Sequence, residues 1–116
     1  MNALVSIITP SYNSAKFIAE TIQSVQSQTY SNWEMIIVDD GSSDETENVV
    51  LSIIQNDNRI QFHKLSQNSG PAVARNTGIE KASGDYMTFI DADDIWFPTF
   101  IENNIKTIQE TGIPFV

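Results

Sequence analysis

The chain has 116 residues, a hydrophobic fraction of 41% and a formal net charge of −9. This length fits one domain with a hydrophobic core, and the absence of cysteine excludes a disulfide framework and a thiolate metal site. The six basic residues are scattered among fifteen acidic ones, which argues against a nucleic-acid partner, because such binding rests on clustered Lys and Arg. No apolar run is long enough to span a bilayer, so we expect a cytoplasmic protein.

Strands and helices alternate in the first half of the chain. The β-branched run from Leu4 to Thr9 predicts a buried strand. The recurrence of apolar residues from Ile18 to Val25 predicts an amphipathic helix of about four turns. A second buried strand is predicted from Trp33 to Asp40, followed by a turn at Gly41 and a helix capped by Ser42 or Ser43.

The second half continues this alternation. Alternating residues 60–65 predict a half-exposed strand near a sheet edge, and Pro71 is expected in the first turn of the next helix. A fourth strand at residues 86–91, a helix opened by Pro98 and a fifth strand at residues 113–116 complete the pattern. It is typical of an α/β domain with a mainly parallel sheet and helices on both faces. Because the last strand begins where the sequence stops, we expect residues 1–116 to be the N-terminal part of a larger domain, truncated at its C-terminal end.

Polar residues follow all four of the earlier strands. The segments are "TPSYN", "DDGSS", "SQNSG" and "DADD". In open parallel sheets, ligands bind beyond the carboxyl ends of the strands, so this pattern predicts a site at that edge. The sequence lacks G-x-G-x-x-G after the first strand and lacks G-x-x-x-x-G-K-[ST], so bound phosphates would not rest on a glycine loop.

The carboxylates of "DADD" are candidate metal ligands. Asp91, Asp93 and Asp94 offer the hard oxygens that Mg²⁺ and Mn²⁺ prefer, and Asp39 and Asp40 add two carboxylates if their strand lies nearby. Five carboxylates in one cleft would repel a diphosphate unless a divalent cation neutralised both. Such a cation would also stabilise a departing diphosphate. We therefore expect Mg²⁺ or Mn²⁺ as the cofactor.

Most of these residues also have a simpler structural explanation. Asp39 and Asp40, before "GSS", are equally well explained as turn and capping residues. Capping needs only one carboxylate and therefore does not explain "DADD". Arg75 lies in a predicted helix, where arginine is more often solvated or ion-paired than bound to phosphate. Tyr12 is either a packing residue or a flat surface for a nucleobase.

Four motifs together resemble family 2 glycosyltransferases. They are "VSIITPSYN", "IIVDDGSSDET", "NSGPAVARNTGI" and "ASGDYMTFIDADD", and the resemblance extends from Val5 to about Ile105. It implies a GT-A fold, whose Rossmann-like nucleotide-binding half precedes an acceptor-binding half. It also implies inverting transfer from a nucleotide-diphosphate sugar, with a UDP-sugar as the expected donor, to a hydroxyl of a glycan or lipid-linked acceptor. A role in polysaccharide biosynthesis and peripheral association of the full protein with the inner face of the cell membrane would fit such an acceptor.

The resemblance also implies roles for residues around the nucleoside. These are Thr9, Pro10 and Tyr12 as the wall on which the base stacks, Asp40 for the base edge with Asp39 as its support, and Asn68, Gly70 and Arg75 in the segment that closes over base and ribose.

The DxD motif of the family matches Asp91, Ala92 and Asp93. Asp91 is expected to face the ribose and the metal shell, Asp93 to bind the metal, and Asp94 to reach towards the donor sugar. The catalytic base of these enzymes is a carboxylate of the second half, which deprotonates the acceptor hydroxyl. We assign no catalytic residue in this segment and expect the base after Val116.

Two rival functions remain at this stage. One is a nucleotide-binding fragment or homologue without turnover. The other is a receiver-like phosphoacceptor domain, although its acidic pair would follow the first strand, where this sequence has "TPSYN". A dehalogenase-like phosphatase fits less well, because its D-x-D-x-[TV] motif also belongs on the first strand.

Overall fold

The computed structural model describes residues 3–111 and shows a four-stranded parallel sheet with helices on both faces. Its elements are β1 (Val5–Ser11), α1 (Ile18–Gln26), β2 (Trp33–Asp39), α2 (Thr46–Ile54), β3 (Ile60–Lys64), α3 (Pro71–Lys81), β4 (Tyr86–Phe89) and α4 (Phe100–Thr111). The predicted α/β class is confirmed. The strand predicted at residues 113–116 lies outside the described residues.

Alternate residues of the sheet pack into two separate apolar layers. Ile7 of β1 faces a cluster that includes Ile22 of α1 and Ile101 of α4. The next residue, Ile8, faces the other side and packs with Ala74 of α3. Full burial of an isoleucine side chain contributes about 1.5–3 kcal/mol, so both layers stabilise the sheet strongly. β3 is an edge strand with mostly half-buried residues, as its alternating sequence predicts.

The strand order β3-β2-β1-β4 creates a switch point beside β1. β2 and β3 are added on one side of β1, whereas β4 pairs with β1 on the other side. Ligands of open α/β sheets bind at such a reversal, beyond the carboxyl ends of the strands. The order also differs from the 2-1-3-4-5 order of receiver-type folds, and this excludes the receiver-like alternative.

Two predicted helices differ from the structure at their N-termini. α1 has nine residues, about two and a half turns, and it is preceded by a turn in which the Ser14 carbonyl accepts the N–H groups of Phe17 and Ile18. α2 begins at Thr46, and its first N–H is accepted by the Asp44 carboxylate. The prediction of Ser42 or Ser43 as the cap was therefore wrong. Within residues 3–111, no helix combines the length and apolarity that a bilayer crossing requires.

Candidate functional site

A pocket of about 370 Å³ opens at the switch point, between the end of β1 and the start of α3. This volume lies in the range of small-molecule sites, roughly 300–1,000 Å³. Its lining residues are Pro10, Ser11, Tyr12, Asp40, Asn68, Gly70, Pro71, Ala74, Arg75 and Asp91. Seven of them are residues that the motifs single out, so the structure brings most of the predicted nucleoside site together.

Tyr12 presents an exposed aromatic ring on the β1 side of the pocket. Its exposed fraction is 52%, and the chain turns immediately after it through Asn13, which has a positive φ of 49°. The Asn13 side-chain oxygen accepts the Ser43 N–H at 2.9 Å, and its own N–H donates to the Ser42 hydroxyl at 2.8 Å. The ring is therefore carried by a fixed backbone and offers a flat surface on which a nucleobase can stack.

Asp39 supports this turn from inside the protein and does not line the pocket. Its carboxylate is fully buried and accepts both the N–H and the hydroxyl of Ser42, at 2.8 Å and 2.5 Å. The same Ser42 hydroxyl accepts the Asn13 N–H, so Ser42 connects Asp39 to the turn that follows Tyr12. The supporting role that the resemblance implies for Asp39 towards the nucleotide stays a prediction.

A second carboxylate, Asp44, ties the same two loops together. It accepts the Thr46 hydroxyl at 2.5 Å and the Ala15 N–H at 3.2 Å, and the Thr46 hydroxyl accepts the Ser14 N–H at 2.9 Å. The hydrogen bond from Thr46 is the main cause that lowers the pKa of Asp44. We call this set, with Asp39, Ser42 and Asn13, the loop clasp. Sequence reasoning missed it because its partners lie about 30 positions apart.

Asp40 joins the pocket to the loop that precedes α3. Its carboxylate, 5% exposed, accepts the N–H groups of Ser69 and Gly70 at 2.7 Å and 3.0 Å. Gly70 has a φ of 97°, a conformation that L side chains rarely adopt. Asp40 therefore has the kind of capping role considered above, but for the loop before α3 and not for α2. It also lines the pocket.

The opposite wall comes from the first turns of α3. Pro71, Ala74 and Arg75 lie on one helix face, and Arg75 is the basic side chain among the lining residues. Ser11, Pro71 and Ala74 were not predicted. Residues 71, 74 and 75 are spaced as neighbours on one helix face. Once Arg75 is assigned to the pocket, this spacing predicts Pro71 and Ala74 as further lining residues.

Besides Asp39, two residues that were predicted to contact the nucleotide, Thr9 and Ala92, lie outside the pocket lining. Thr9 is fully buried in β1, where strand alternation turns it away from the side of Pro10. Ala92 is buried, and its carbonyl accepts the Thr21 hydroxyl at 3.0 Å. Their roles towards the nucleotide remain predictions.

Asp91, Asp93 and Asp94 form an exposed cluster at the mouth of the pocket. One carboxylate oxygen from each lies within 4.8 Å of the others, and Asp91 also lines the pocket. Within residues 3–111, no basic side chain forms an ion pair with them. At this separation each pair of charges repels by roughly 1–3 kcal/mol, depending on the local dielectric. The oxygen donor set and the unbalanced charge fit a divalent cation.

The expectation of five carboxylates in one cleft was wrong for Asp39, which does not line the pocket. Asp39 is turned inwards to Ser42. β1 separates β2 from β4 in the sheet, but Asp40 and Asp91 line the same pocket, so Asp40 shares the cleft with the cluster. The cluster itself consists of the three aspartates that follow β4.

Comparison with known proteins agrees with this geometry. The family described as Glycosyl transferase family 2 matches residues 6–115. A UDP-Glc:alpha-D-GlcNAc-diphosphoundecaprenol beta-1,3-glucosyltransferase of Escherichia coli is 43% identical over 113 residues, 97% of this chain and 44% of that relative. The glycosyltransferase GlyG of Streptococcus pneumoniae is 37% identical over 110 residues, 95% of this chain and 36% of that relative. The chain thus spans less than half the length of either protein.

Solved structures share the same architecture. S. aureus TarS residues 1–349, in complex with UDP, matches with a TM-score of 0.87 and 31% identity, over 93% of this chain and 32% of that one. The mannosyltransferase PcManGT of Pyrobaculum calidifontis, in complex with GDP-Man and Mn²⁺, matches with a TM-score of 0.85 and 27% identity, over 94% of this chain and 33% of that one. The motifs, the switch-point pocket and these matches establish that the chain belongs to glycosyl transferase family 2 and has the Rossmann-like sheet of the GT-A fold.

Proposed function

We propose that residues 1–116 form the donor-binding part of an inverting glycosyltransferase, which transfers a sugar from a nucleotide-diphosphate sugar to an acceptor hydroxyl. The observation that carries this proposal is the pocket that holds Tyr12, Asp40 and Arg75 and opens onto the three aspartates after β4. A UDP-sugar is the expected donor, and the similarity to TarS, a structure in complex with UDP, supports it.

The nucleoside would occupy the pocket between Tyr12 and the first turns of α3. The exposed Tyr12 ring provides the stacking surface. Asp40 would accept a hydrogen bond from the base edge, because its oxygens have lone pairs beyond those that accept the Ser69 and Gly70 N–H groups. Asn68, Gly70 and Arg75 border the same space and would close over base and ribose.

The diphosphate would lie where the pocket meets the acidic cluster. Asp91 and Asp93 would hold Mg²⁺ or Mn²⁺, and Asp94 would reach towards the donor sugar. When bound, the cation neutralises the diphosphate and stabilises it as a leaving group. The carboxylates themselves keep this edge anionic, so an NDP-sugar is favoured only together with its cation. The similarity to a structure that contains GDP-Man and Mn²⁺ supports this arrangement.

The catalytic base would lie on a segment beyond the residues of this chain. Asp94 belongs to the cluster on the leaving-group side and is poorly placed to deprotonate an acceptor. Relatives more than twice as long have room for an acceptor site and a base. The acceptor would be a glycan or a lipid-linked sugar, and the full protein would reach a lipid-linked acceptor by peripheral association with the inner face of the membrane.

Calorimetry with UDP, with and without Mn²⁺, tests the donor and metal roles. We expect Mn²⁺ to strengthen UDP binding at least about tenfold and Asp93→Ala to abolish that gain. Glu80→Gln, which removes an exposed negative charge from α3, is the matched control and should leave the Mn²⁺ effect intact. If UDP binds equally well with and without Mn²⁺, or if Mn²⁺ still strengthens UDP binding in Asp93→Ala, the metal role proposed for Asp93 is wrong.

The alternative of a nucleotide binder without turnover needs a separate assay. Hydrolysis of a UDP-sugar should be measured on this chain and on a longer form that includes the following segment. We expect turnover only in the longer form. Absence of turnover in both forms, with UDP binding intact, would favour the binder.

A further inference from the structure

The inward face of α1 contains buried polar residues where its pattern otherwise places apolar ones. Thr21, Ser24 and Gln28 are 0%, 8% and 7% exposed, and their spacing of three and four residues places them along one side of α1 and its C-terminal extension. Buried polar groups are costly unless they are hydrogen-bonded. We call these three residues the polar stripe. Besides hydrogen bonds to nearby backbone carbonyls, each of the three side chains also bonds the backbone of the loop between β4 and α4, residues 90–99, here called the acidic loop.

Thr21 contacts the centre of the DxD motif from below. Its hydroxyl lies 3.0 Å from the Ala92 carbonyl oxygen and 3.3 Å from the Phe17 carbonyl oxygen. The hydroxyl has one proton, and the shorter distance favours donation to Ala92. Ala92 stands between Asp91 and Asp93, so this bond fixes the backbone from which both side chains project.

Ser24 and Gln28 hold the other end of the acidic loop. The Ser24 hydroxyl accepts the Trp96 N–H at 3.2 Å. The Gln28 side-chain amide donates to the Phe97 carbonyl at 2.8 Å and accepts the Ile101 N–H, in the first turn of α4, at 3.0 Å. Each of these bonds joins a stripe side chain to loop or helix backbone. These bonds therefore tie the backbone of the acidic loop to α1 and its C-terminal extension.

We propose that the polar stripe positions the acidic loop so that Asp91, Asp93 and Asp94 stay together before a cation arrives, with Thr21 as the main positioning residue. The inference rests on the proposed function in assigning that cation to the donor complex. The three carboxylates repel one another and would spread apart on a loose loop. A loop held from both ends has little freedom left to lose on binding, and this strengthens cation binding without any contact between the stripe and the cation.

Isosteric replacement of Thr21 tests the proposal. Thr21→Val removes the hydroxyl and keeps the volume, whereas Thr21→Ser keeps the hydroxyl. Mn²⁺ should be titrated into each variant saturated with UDP, and UMP should be titrated without metal. We expect Thr21→Val to weaken Mn²⁺ binding about five- to tenfold and to leave UMP binding within about twofold, with Thr21→Ser close to the wild type.

Thr77→Val is the matched control. The Thr77 hydroxyl donates to the Val73 carbonyl, four residues earlier in α3, and this bond does not involve the acidic loop. We expect Thr77→Val to leave Mn²⁺ binding unchanged. Equal loss of Mn²⁺ and UMP binding in Thr21→Val, unchanged Mn²⁺ binding, or an equal defect in Thr21→Ser would each overturn the proposal.

Amide hydrogen exchange provides a readout that does not depend on the donor. Gln28→Leu removes the acceptor of the Ile101 N–H, whose exchange should accelerate at least about tenfold relative to amides in the middle of β1. Unchanged exchange at Ile101 would refute the positioning role even if Thr21→Val does not fold. If the wild-type chain binds no UDP with Mn²⁺, the proposed function fails, and hydrogen exchange alone decides whether the stripe holds the loop.

Discussion

The two hydrogen bonds that Asp40 accepts make its replacement by asparagine the most informative single change. The carboxylate is 5% exposed and receives the Ser69 and Gly70 N–H groups at 2.7 Å and 3.0 Å. In Asp40→Asn one side-chain oxygen remains, and an NH₂ group takes the place of the other. Because that NH₂ cannot accept a hydrogen bond, one backbone N–H loses its partner inside the protein.

The expected loss follows from the chemistry of this site. An unsatisfied buried donor costs about 1–3 kcal/mol, and the remaining bond weakens because its acceptor is no longer charged. We therefore expect Asp40→Asn to lower the free energy of unfolding by about 2 kcal/mol. For a domain of this size that corresponds to a fall in melting temperature of roughly 8 °C. UDP affinity should fall as well, because the same carboxylate lines the pocket.

The assay is urea unfolding followed by tryptophan fluorescence and by circular dichroism, which should report the same transition. Asp93→Asn is the matched control, since it makes the same chemical change in an exposed carboxylate of the acidic cluster. It should leave stability unchanged or raise it slightly, because one repelling charge is removed. A stability of Asp40→Asn within about 0.5 kcal/mol of the wild type would contradict the reasoning.

Three further predictions concern the turns and the nucleoside wall. Gly41→Ala should cost about 2 kcal/mol in a thermal unfolding experiment, because φ is 76° and a Cβ would lie 3.0 Å from the Asn68 backbone nitrogen. Tyr12→Ala should weaken UDP binding about tenfold in calorimetry, while Tyr12→Phe, which keeps the ring, should stay within about twofold. The side-chain hydrogen bond from Arg59 is the main cause that lowers the pKa of Asp57. The stabilisation by the ionised Asp57 is therefore complete above the unfolded-state pKa of about 3.9, and it is lost as the pH falls through the lower folded-state pKa. Asp57→Asn should therefore be less stable than the wild type at pH 6, and urea unfolding at pH 3 should show a smaller difference.

Features that depend on local sequence were predicted well. The β-branched runs gave the strands, and the polar residues after them gave the edge at which the pocket lies. The DxD cluster was also recognisable, because three aspartates directly after an apolar run have no sufficient explanation as caps. Neighbouring residues in the chain carry each of these signals.

Features that depend on distant partners were not predictable from the same patterns. Ser42 is a residue type that commonly caps helices, but its hydroxyl donates to Asp39 and accepts the N–H of Asn13, which is 29 positions away. Thr21 interrupts the apolar face of α1, and its hydroxyl donates to the carbonyl of Ala92, which is 71 positions further along the chain. Asp39 is turned inwards to Ser42, whereas Asp40 lines the same pocket as Asp91, and the sequence pattern alone does not distinguish these two neighbouring aspartates.

The loop clasp has a consequence for how this domain can be engineered. Surface loops of most proteins accept insertions, because their backbone groups are solvated. Here the loop after β2 is bonded to the loop after β1 through the Ser42 hydroxyl, which accepts the Asn13 N–H, and the Asp44 carboxylate, which accepts the Ala15 N–H. One added residue near position 43 would prevent both acceptors from reaching their distant N–H partners together. Tags, linkers or circular-permutation termini should therefore be placed at the exposed residues Gln55 and Asn56, which follow α2 at the opposite edge of the sheet from the pocket and precede the Asp57–Arg59 ion pair.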